Sequence, residues 1–309
     1  MTSDAPPPDV RRLVVERTAA REARDWARAD ALRDEIAALG WEVQDGPRAS
    51  TARPILAPQE AAATGVSLLD EEASVRASLQ VAAEDHPDDL GRFLRGLASH
   101  APAVPWELVI VDNGAAFDLD GLLASVDLPV EPRVVRSPDR LGWADARTLG
   151  LRHSRGEITV LLDTSLEPTG DFVAPLLAIF DADPRAGIAG GWGVTSADAR
   201  QFTDAPAGEV DAIEGYCLAI RREALRAVGG FDRRFRFYRN ADLDLSFAVR
   251  DAGWRAIRTA PLPLERHEHR GYASLPDAER DRLSKRNFYR FLEHWGDRRD
   301  LLLEPGDAE

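Results

Sequence analysis

The sequence WELVIVD, residues 106–112, is a continuous apolar run that ends in an acid. A run of this length and composition is typical of a buried β-strand. The same pattern returns in EITVLLD (157–163), and ASVRASLQVAA (73–83) alternates apolar and polar residues ahead of both. VEPRVV (130–135) has the composition of a strand, and LGWADARTLGLRHSRG (141–156) that of a helix. The alternation of strands and helices predicts an α/β domain with a largely parallel sheet.

Acidic residues follow three of the predicted strands. Glu84 and Asp85 come directly after the strand at 73–83, and Asp112 and Asp163 end the two apolar runs. In open α/β sheets, ligands gather at the carboxyl ends of the strands. We therefore expect these four carboxylates to lie along one edge of the sheet and to line a binding site there.

The composition is that of an ordinary globular protein, with 309 residues of which 44% are hydrophobic and 30% charged. This length suits one large domain with an accessory segment, or two modest domains. Lysine and arginine together number 39 and aspartate and glutamate 53, so the formal net charge is −14. That charge argues against general binding to nucleic acid or anionic lipid, and it leaves room for a local basic patch.

Cysteine and lysine each occur once, as Cys217 and Lys285. A single cysteine forms neither an intrachain disulfide nor a multi-cysteine metal site. No run of about 18 apolar residues is present, and the N-terminal MTSDAPPPDV lacks the apolar core of a signal peptide. We therefore expect a soluble, cytoplasmic protein with no transmembrane segment.

The most specific stretch is GYCLAIRREALRAVGGFDRRFRFYRNADLDLSFAVRDAGW, residues 215–254. It resembles the acceptor-side half of family 2 glycosyltransferases, with a Gly-aromatic strand, a short helix, a GGFD turn and an acidic helix start. WELVIVDNG resembles the second-strand motif of that family, and LGWADARTLGLRHSRGEITVLLD resembles the helix that leads into its metal-binding strand. Because the order and spacing of these blocks agree, residues 73–295 are similar to a family 2 glycosyltransferase with the GT-A nucleotide-sugar-binding fold.

This resemblance implies an enzyme that moves a sugar from a nucleotide-diphosphate sugar to an acceptor hydroxyl on a glycan or a lipid-linked molecule. A divalent cation, Mn²⁺ or Mg²⁺, would offset the charge of the diphosphate leaving group. A carboxylate on the opposite face would take the hydroxyl proton. A single displacement of this kind inverts the anomeric centre.

The resemblance also assigns residues to the nucleotide-sugar site. Asp112 matches the acid that contacts the nucleoside, with a turn residue as the alternative. Glu84 and Asp85 stand where the family loop wraps the base and replace its usual Tyr-Asn; a solvated loop is the alternative. Thr148 replaces the usual Asn of the following helix, and Arg147 beside it is expected to reach a phosphate.

Four residues are candidates for the metal site. Asp163 matches the first acid of the Asp-x-Asp element, with a strand-end cap as the alternative. Ser165 replaces the second acid, and a hydroxyl binds a hard cation less well than a carboxylate unless Glu167 or a histidine compensates. His267 and His269 follow the last strand, where the family often supplies a metal-ligating histidine, although the pair also suits an exposed loop. Imidazole favours Mn²⁺ over Mg²⁺.

Asp242 falls where the resemblance places the general base, and the glutamate that commonly precedes that base is Ala241 here. A capping role for Asp242 at a helix over 242–252 is the alternative, because acids favour a helix N-terminus. Together with Thr148 and Ser165, Ala241 makes three departures from the family pattern. They support the alternative hypothesis of a non-catalytic GT-A-like binding or regulatory protein.

The N-terminal segment resembles a different family. The spacing of apolar residues predicts helices over 9–40, and the following WEVQDGP (41–47) is predicted to form a short strand and a turn. Residues 11–53 are similar to the C-terminal tail of bacterial cysteinyl-tRNA synthetase. No HIGH-like or KMSKS-like sequence is present, which excludes aminoacylation. The segment is expected to be an accessory or dimerisation unit, or an RNA or partner contact formed by its arginines, which are Arg17, Arg21, Arg24, Arg28 and Arg33.

These patterns predict four regions. Residues 1–50 form a small helical hairpin, and 51–72, a mixture of Pro, Ala and Gly, form a linker. Residues 73–300 form the GT-A domain, and 301–309 form a tail.

Overall fold

The computed structural model describes residues 6–39, 41–45, 50–54, 67–137 and 139–303. The chain divides into two compact units, Met1–Gly65 and Val66–Glu309. Three parts of the sequence-based predictions lie outside the described residues: the turn at 46–47, residues 55–66 of the linker and residues 304–309 of the tail.

The N-terminal unit is a helical hairpin followed by a strand hairpin. Its elements are α1 (Pro8–Glu22), α2 (Trp26–Ala38), β1 (Trp41–Asp45) and β2 (Ser50–Pro54). The carboxylate of Asp25 caps α2 by accepting a hydrogen bond from the Arg28 N–H at 3.0 Å. The small core consists of Val10, Leu13, Val14, Leu32, Ile36 and Val43.

The strand β2 was not expected, because the sequence alone suggested a linker from residue 51. In the structure, residues 50–54 pair antiparallel with β1, in the register Trp41↔Pro54. A short strand with little apolar content forms here because β1 offers it a hydrogen-bonding partner, and no local pattern reveals that pairing.

The C-terminal unit is built on an eight-stranded sheet in the order β11-β14-β8-β13-β6-β3-β4-β5. These strands are β3 (Val75–Ala83), β4 (Trp106–Asp112), β5 (Arg133–Arg136), β6 (Gly156–Leu162), β8 (Ala186–Gly190), β11 (Gly208–Val210), β13 (Cys217–Arg221) and β14 (Arg255–Arg258). The pairs β6–β3, β3–β4, β4–β5 and β14–β8 are parallel, whereas β13 runs antiparallel to both of its neighbours. The predicted α/β class with a mostly parallel sheet is confirmed.

Shorter strands lie outside this sheet. They are β7 (Leu166–Pro168), β9 (Gly193–Thr195), β10 (Thr203–Asp204), β12 (Ala212–Ile213) and β15 (Leu264–Arg266). β7 and β15 pair antiparallel, with Glu167 opposite Glu265. This two-stranded ribbon joins the loop after β6 to the segment that follows the last sheet strand.

Helices cover both faces of the sheet. They are α3 (Pro87–Ser99), α4 (Leu119–Ala124), α5 (Trp143–Arg152), α6 (Val173–Ala182), α7 (Arg222–Val228), α8 (Ala241–Asp251), α9 (Arg270–Ala273) and α10 (Asp277–Trp295). One apolar cluster contains Phe93 of α3 and Leu176 of α6. Another contains Phe247 of α8 and Phe291 of α10, whose rings meet edge to face with centroids 5.0 Å apart. None of the described helices combines the length and the apolar character that a membrane crossing requires.

The sheet places the acids as the sequence predicted. β3 lies between β6 and β4, parallel to both, with Ala83 opposite Asp112 and Val81 opposite Leu162. The residues that follow these strands, Glu84 and Asp163, therefore lie at the same edge as Asp112.

Candidate active site

A small cavity of about 60 Å³ lies at this edge, and we call it the strand-edge cavity. Its walls come from the ends of β3 and β6, from α5, and from the segment that leads into α9. The lining side chains include Glu84, Asp85, Trp143, Arg147, Asp163, Ser165, His269 and Arg270. Six of the predicted sugar-donor and metal residues therefore line this cavity, although they are far apart in the chain. They are Glu84, Asp85, Arg147, Asp163, Ser165 and His269.

The centre of this cavity is an ion pair between Asp163 and His269. Asp163 Oδ2 lies 3.2 Å from His269 Nε2, and Asp163 Oδ1 accepts a hydrogen bond from the Ser165 N–H at 2.8 Å. Burial disfavours the carboxylate, yet His269 and Ser165 more than offset it and lower the pKa of Asp163 to about 2. Burial likewise opposes charge on His269, and Asp163 raises the pKa of that imidazole above its ordinary value.

The Ser165 side chain completes this group. Its hydroxyl oxygen is buried and makes no well-formed hydrogen bond with a described residue, although it lies close enough to Asp163 to help lower the pKa of that carboxyl. A buried hydroxyl without a partner is costly unless a ligand or water satisfies it. Asp163, Ser165 and His269 thus supply carboxylate, hydroxyl and imidazole atoms at one point, a set that fits a divalent cation.

His267 does not join this group. Its Nε2 lies 2.8 Å from Glu167 Oε2. Its backbone N–H donates a hydrogen bond to the backbone carbonyl oxygen of Ser165 at 2.8 Å, which extends the ribbon of β7 and β15. The sequence grouped the two histidines because they stand two residues apart. Pairing along the ribbon fixes His267 against β7, and only His269 reaches Asp163.

Glu84 and Arg147 form a second pair in the strand-edge cavity. Arg147 Nη1 lies 2.9 Å from Glu84 Oε1, and its guanidinium stacks on the Trp143 ring at 4.8 Å. The same Glu84 oxygen accepts a hydrogen bond from Asn113 Nδ2 at 3.0 Å. Burial raises the pKa of Glu84, but Arg147 and Asn113 outweigh it and leave that pKa below its ordinary value. Asp85 is exposed and pairs with Arg140.

Asp112 lies at the predicted edge of the sheet. It also stabilises a turn, which was the alternative to a nucleoside contact for this residue. Its Oδ1 accepts a hydrogen bond from the Ala115 N–H at 3.0 Å, and its Oδ2 lies 3.6 Å from Arg136 Nε. Thr148 has a structural contact instead of a sugar-donor contact. Its hydroxyl accepts a hydrogen bond from the Phe231 N–H at 3.1 Å, which holds the GGFD turn against α5.

Asp242 lies on the wall of a second cavity of about 610 Å³, which we call the large cavity. Its Oδ2 accepts a hydrogen bond from the Gly215 N–H at 2.8 Å, and its Oδ1 accepts one from the Leu243 N–H at 3.0 Å. Burial raises the pKa of Asp242 above its ordinary value, despite those two donors. A carboxylate with a raised pKa accepts a proton more readily, as a general base must.

The helix boundary differs slightly from the predicted one. α8 begins at Ala241, and the residue before it, Asn240, has a left-handed backbone with φ +65° and no side-chain cap. Asp242 therefore lies within the first turn. Ala241 is 1% exposed, and Leu243, Phe247 and Val249 are buried as well.

The second acid of this element, Asp244, is structural. It is 5% exposed, and its Oδ1 accepts a hydrogen bond from Trp295 Nε1 at 2.8 Å. Burial raises the pKa of Asp244 to about 6. Asp242 and Asp244 thus have different surroundings two residues apart, and only the former lines the large cavity.

Sequence reasoning missed most of the charged residues on the wall of the large cavity, among them Glu214 and Lys285. Burial raises the pKa of Glu214, and Asp242 and Asp204 raise it further. Its position directly before the Gly-aromatic pair was the available signal. Lys285 was noticed only as the single lysine of the chain.

Residues 81–261 match the model of the family described as glycosyl transferase family 2. The chain belongs to this family. The match spans β4 to β14 and the last three residues of β3, together with all residues of the strand-edge cavity that precede His269 and with Asp242. The chain is therefore a member of a glycosyltransferase family and has the GT-A fold, as the sequence predicted.

Solved structures share the fold of this glycosyltransferase. GalNAc-T7 with UDP, GalNAc and Mn²⁺ has a TM-score of 0.55 at 18% identity, covering 74% of this chain and 49% of the other. The mannosyltransferase PcManGT from Pyrobaculum calidifontis, in complex with GDP-Man and Mn²⁺, has a TM-score of 0.50 at 18% identity, covering 74% and 77%. Polypeptide N-acetylgalactosaminyltransferase 11 of Xenopus tropicalis is 23% identical over 178 residues, 46% of this chain and 30% of that protein. The match thus spans less than half of the frog protein.

The N-terminal unit has separate relatives. Residues 3–53 match the model of the cysteinyl-tRNA ligase anticodon binding domain. A cysteine–tRNA ligase of Beutenbergia cavernae is 60% identical over 35 residues, which are 11% of this chain and 7% of that enzyme. The predicted resemblance is confirmed. The structure also shows that Arg17, one of the arginines considered for RNA contact, is only 3% exposed.

Proposed function

We propose that the chain is an inverting glycosyltransferase that moves a sugar from a nucleotide-diphosphate sugar to a hydroxyl of a glycan or lipid-linked acceptor. The observation that carries this proposal is the position of Asp242, a partly buried carboxylate of raised pKa on the wall of a cavity of about 610 Å³. Cavities of several hundred Å³ hold ligands of sugar or nucleotide size. The UDP and GDP-Man present in the two similar solved structures support a nucleotide-sugar donor.

The nucleotide-sugar site is assigned to the strand-edge cavity and its surroundings, with Glu84, Asp85, Asp112, Arg147 and Asp163 as contacts. The present volume of that cavity, about 60 Å³, admits a few water molecules but no nucleotide. Donor binding therefore requires this cavity to widen, while Asp163, Ser165 and His269 stay close enough to hold a cation.

The metal site is assigned to Asp163, Ser165 and His269. A divalent cation held there neutralises the negative charge of the diphosphate leaving group. The imidazole of His269 favours Mn²⁺ over Mg²⁺. His267 is left outside this set, because it lies with Glu167 and Glu265 in a separate group whose possible ligand atoms are within 4.8 Å of one another.

Asp242 is assigned the role of general base. The acceptor hydroxyl loses its proton to the Asp242 carboxylate while its oxygen bonds to the anomeric carbon, and the bond from that carbon to the diphosphate oxygen breaks. Attack from the face opposite the leaving group inverts the anomeric centre. The Gly215 and Leu243 N–H groups hold the carboxylate in one orientation throughout.

Isothermal titration of the full chain with UDP- and GDP-sugars, with and without Mn²⁺, tests the donor assignment. We expect Mn²⁺-dependent binding of one nucleotide class, followed by transfer to an acceptor from a panel of glycosides. If no nucleotide-sugar of either class binds, the proposed function is wrong.

The alternative function concerns the N-terminal unit, whose residues 3–53 match an anticodon-binding domain. This match and the departures from the family pattern at Ser165 and Ala241 support the alternative of a non-catalytic GT-A-like protein that contacts RNA or a protein partner. Filter binding of tRNA by the full chain and by a chain lacking residues 1–65 distinguishes the two hypotheses. The net charge of −14 leads us to expect no tRNA binding by either; loss of binding on truncation would favour the alternative.

A further inference from the structure

One face of α10 forms part of the wall of the large cavity. Asp281, Ser284, Lys285 and Phe288 all line it, and their i, i+3, i+4, i+7 spacing places them on one side of a helix. Elsewhere on α10, Phe291 is buried in the core and Asn287 Nδ2 donates hydrogen bonds to the backbone carbonyls of Phe237 and Arg239. α10 is thus held in place by its other faces while this one faces the cavity.

This helix lies outside residues 81–261, the part that matches the family model. The wall of the large cavity is therefore built partly from residues that match the family model and partly from a helix outside that match.

Lys285 is the distinctive residue on that face. It is the only lysine among the 39 basic residues of the chain. Its ammonium is exposed and, within the described part of the chain, has no carboxylate oxygen within 4.0 Å. Many arginines of the same unit, such as Arg76, Arg133 and Arg255, are engaged by carboxylates. An unengaged ammonium on a cavity wall attracts an anionic ligand group.

The carboxylates of the cavity have a different counter-charge. Asp204, Glu214 and Asp242 line the same cavity. Burial raises the pKa of Glu214, and the negative charges of Asp242 and Asp204 raise it further. Arg239 lowers the pKa of both Asp242 and Glu214, against the larger effect of burial. Arg239, and at Glu214 also Arg266, therefore offset the charge of these carboxylates, while Lys285 lies on α10 of the same cavity wall.

We infer that the acceptor carries an anionic group, a phosphate or a carboxylate, which binds to Lys285 while its attacking hydroxyl lies at Asp242. The inference rests on the proposed function for the role of Asp242, and the anion site at Lys285 stands without it. Both groups line one cavity of about 610 Å³, which is large enough for a single sugar bearing an anionic substituent. The rings of Tyr238 and Phe288 on the same wall provide apolar surface for the sugar face.

The single lysine makes a direct binding test possible. Acetylation of the full chain by an N-hydroxysuccinimide ester modifies two amines, Lys285 and the α-amino group, and peptide mass spectrometry measures their rates separately. The probes are glucose 6-phosphate, glucuronate, glucose and UDP with Mn²⁺, all at one ionic strength. Occupancy of the site by an anion shields Lys285 and leaves the α-amino group as an internal reference.

We expect glucose 6-phosphate or glucuronate to slow acetylation of Lys285 several-fold relative to the α-amino group, and glucose to have no such effect. The stronger of the two probes identifies the anion as phosphate or carboxylate. Equal Lys285 rates with every probe overturn the inference. Protection by UDP alone also overturns it, because the anion would then belong to the sugar donor.

A transfer assay with Lys285→Ala and Lys285→Arg separates this inference from the proposed function. Loss of one charged hydrogen bond is expected to raise the KM for an anionic acceptor by about tenfold to a hundredfold in Lys285→Ala. Lys285→Arg, which keeps the charge, is expected to recover part of the lost affinity for the acceptor. An unchanged KM in Lys285→Ala contradicts the inference alone, whereas an absence of turnover in the unmodified chain contradicts the proposed function and leaves the acetylation result to decide on Lys285.

Discussion

His269 Nε2 lies 3.2 Å from Asp163 Oδ2, although the two residues are far apart in the chain. Asp163 follows β6, a central strand of the sheet, and His269 follows β15, the last strand of the ribbon. The ribbon of β7 and β15 brings them together, since β7 comes directly after the loop of Asp163 and β15 directly before the segment of His269. His267, two residues earlier, is bonded to Glu167 instead. Two histidines that are alike in sequence thus have different chemical surroundings.

The first prediction compares these two histidines. His269→Ala is expected to weaken Mn²⁺-dependent binding of UDP or GDP by at least about tenfold, because it removes an imidazole from the proposed cation site. His267→Ala is the matched control and is expected to bind nearly as well as the unmodified chain. Isothermal titration measures both, and equal losses in the two variants would show that neither histidine acts at Asp163 specifically.

The second prediction concerns the base. Asp242→Asn is expected to lower the rate of sugar transfer by about 10²–10⁴-fold, because an amide cannot take the acceptor proton. Nucleotide binding is expected to remain unchanged, since Asp242 lines the large cavity and not the strand-edge cavity. Asp244→Asn is the control, because Asp244 contacts Trp295 and should leave transfer intact. Full activity of Asp242→Asn would remove this residue from the mechanism.

The third prediction uses the pKa of Asp244, which burial raises to about 6 from the ordinary 3.8. The folded chain then binds this proton more tightly than the unfolded chain, so the contribution of Asp244 to the free energy of unfolding falls as pH rises from about 4 to 6. Asp244→Asn keeps the oxygen that accepts from Trp295 and removes the buried charge. We expect it to raise the free energy of unfolding by about 1–2 kcal/mol at pH 7.5 and by much less at pH 4.5.

Urea unfolding of Asp244→Asn and the unmodified chain at the two pH values measures this difference. A stabilisation of the same size at both would show that the effect is one of packing and not of charge.

The fourth prediction concerns the GGFD turn. Both of its glycines have positive φ, +79° at Gly229 and +111° at Gly230. A Cβ on Gly230 would lie 2.8 Å from Thr148 Cγ2, whereas a Cβ on Gly229 would meet nothing within 4 Å. We expect Gly230→Ala to cost about 2–4 kcal/mol and Gly229→Ala about 1 kcal/mol. Denaturant unfolding measures both, and equal costs would mean that Thr148 yields without strain.

The sequence by itself determined the fold class and the edge of the sheet at which the acids lie. Apolar runs such as 106–112 and 157–163 have the length and composition of buried strands, and their alternation with helices permits few other arrangements. Parallel strands place their carboxyl ends together, so Glu84, Asp112 and Asp163 could be located without coordinates. These are local patterns and their direct geometric consequences.

Only the tertiary structure decided which side chains act together. The pairing of β7 with β15 brings His269, and not His267, to Asp163. The packing of Trp295 of α10 against Asp244 gives Asp244 surroundings different from those of Asp242. The same packing of α10 brings Lys285 to the large cavity. Contacts between segments far apart in the chain depend on how whole elements pack, and no local pattern of residues carries that information.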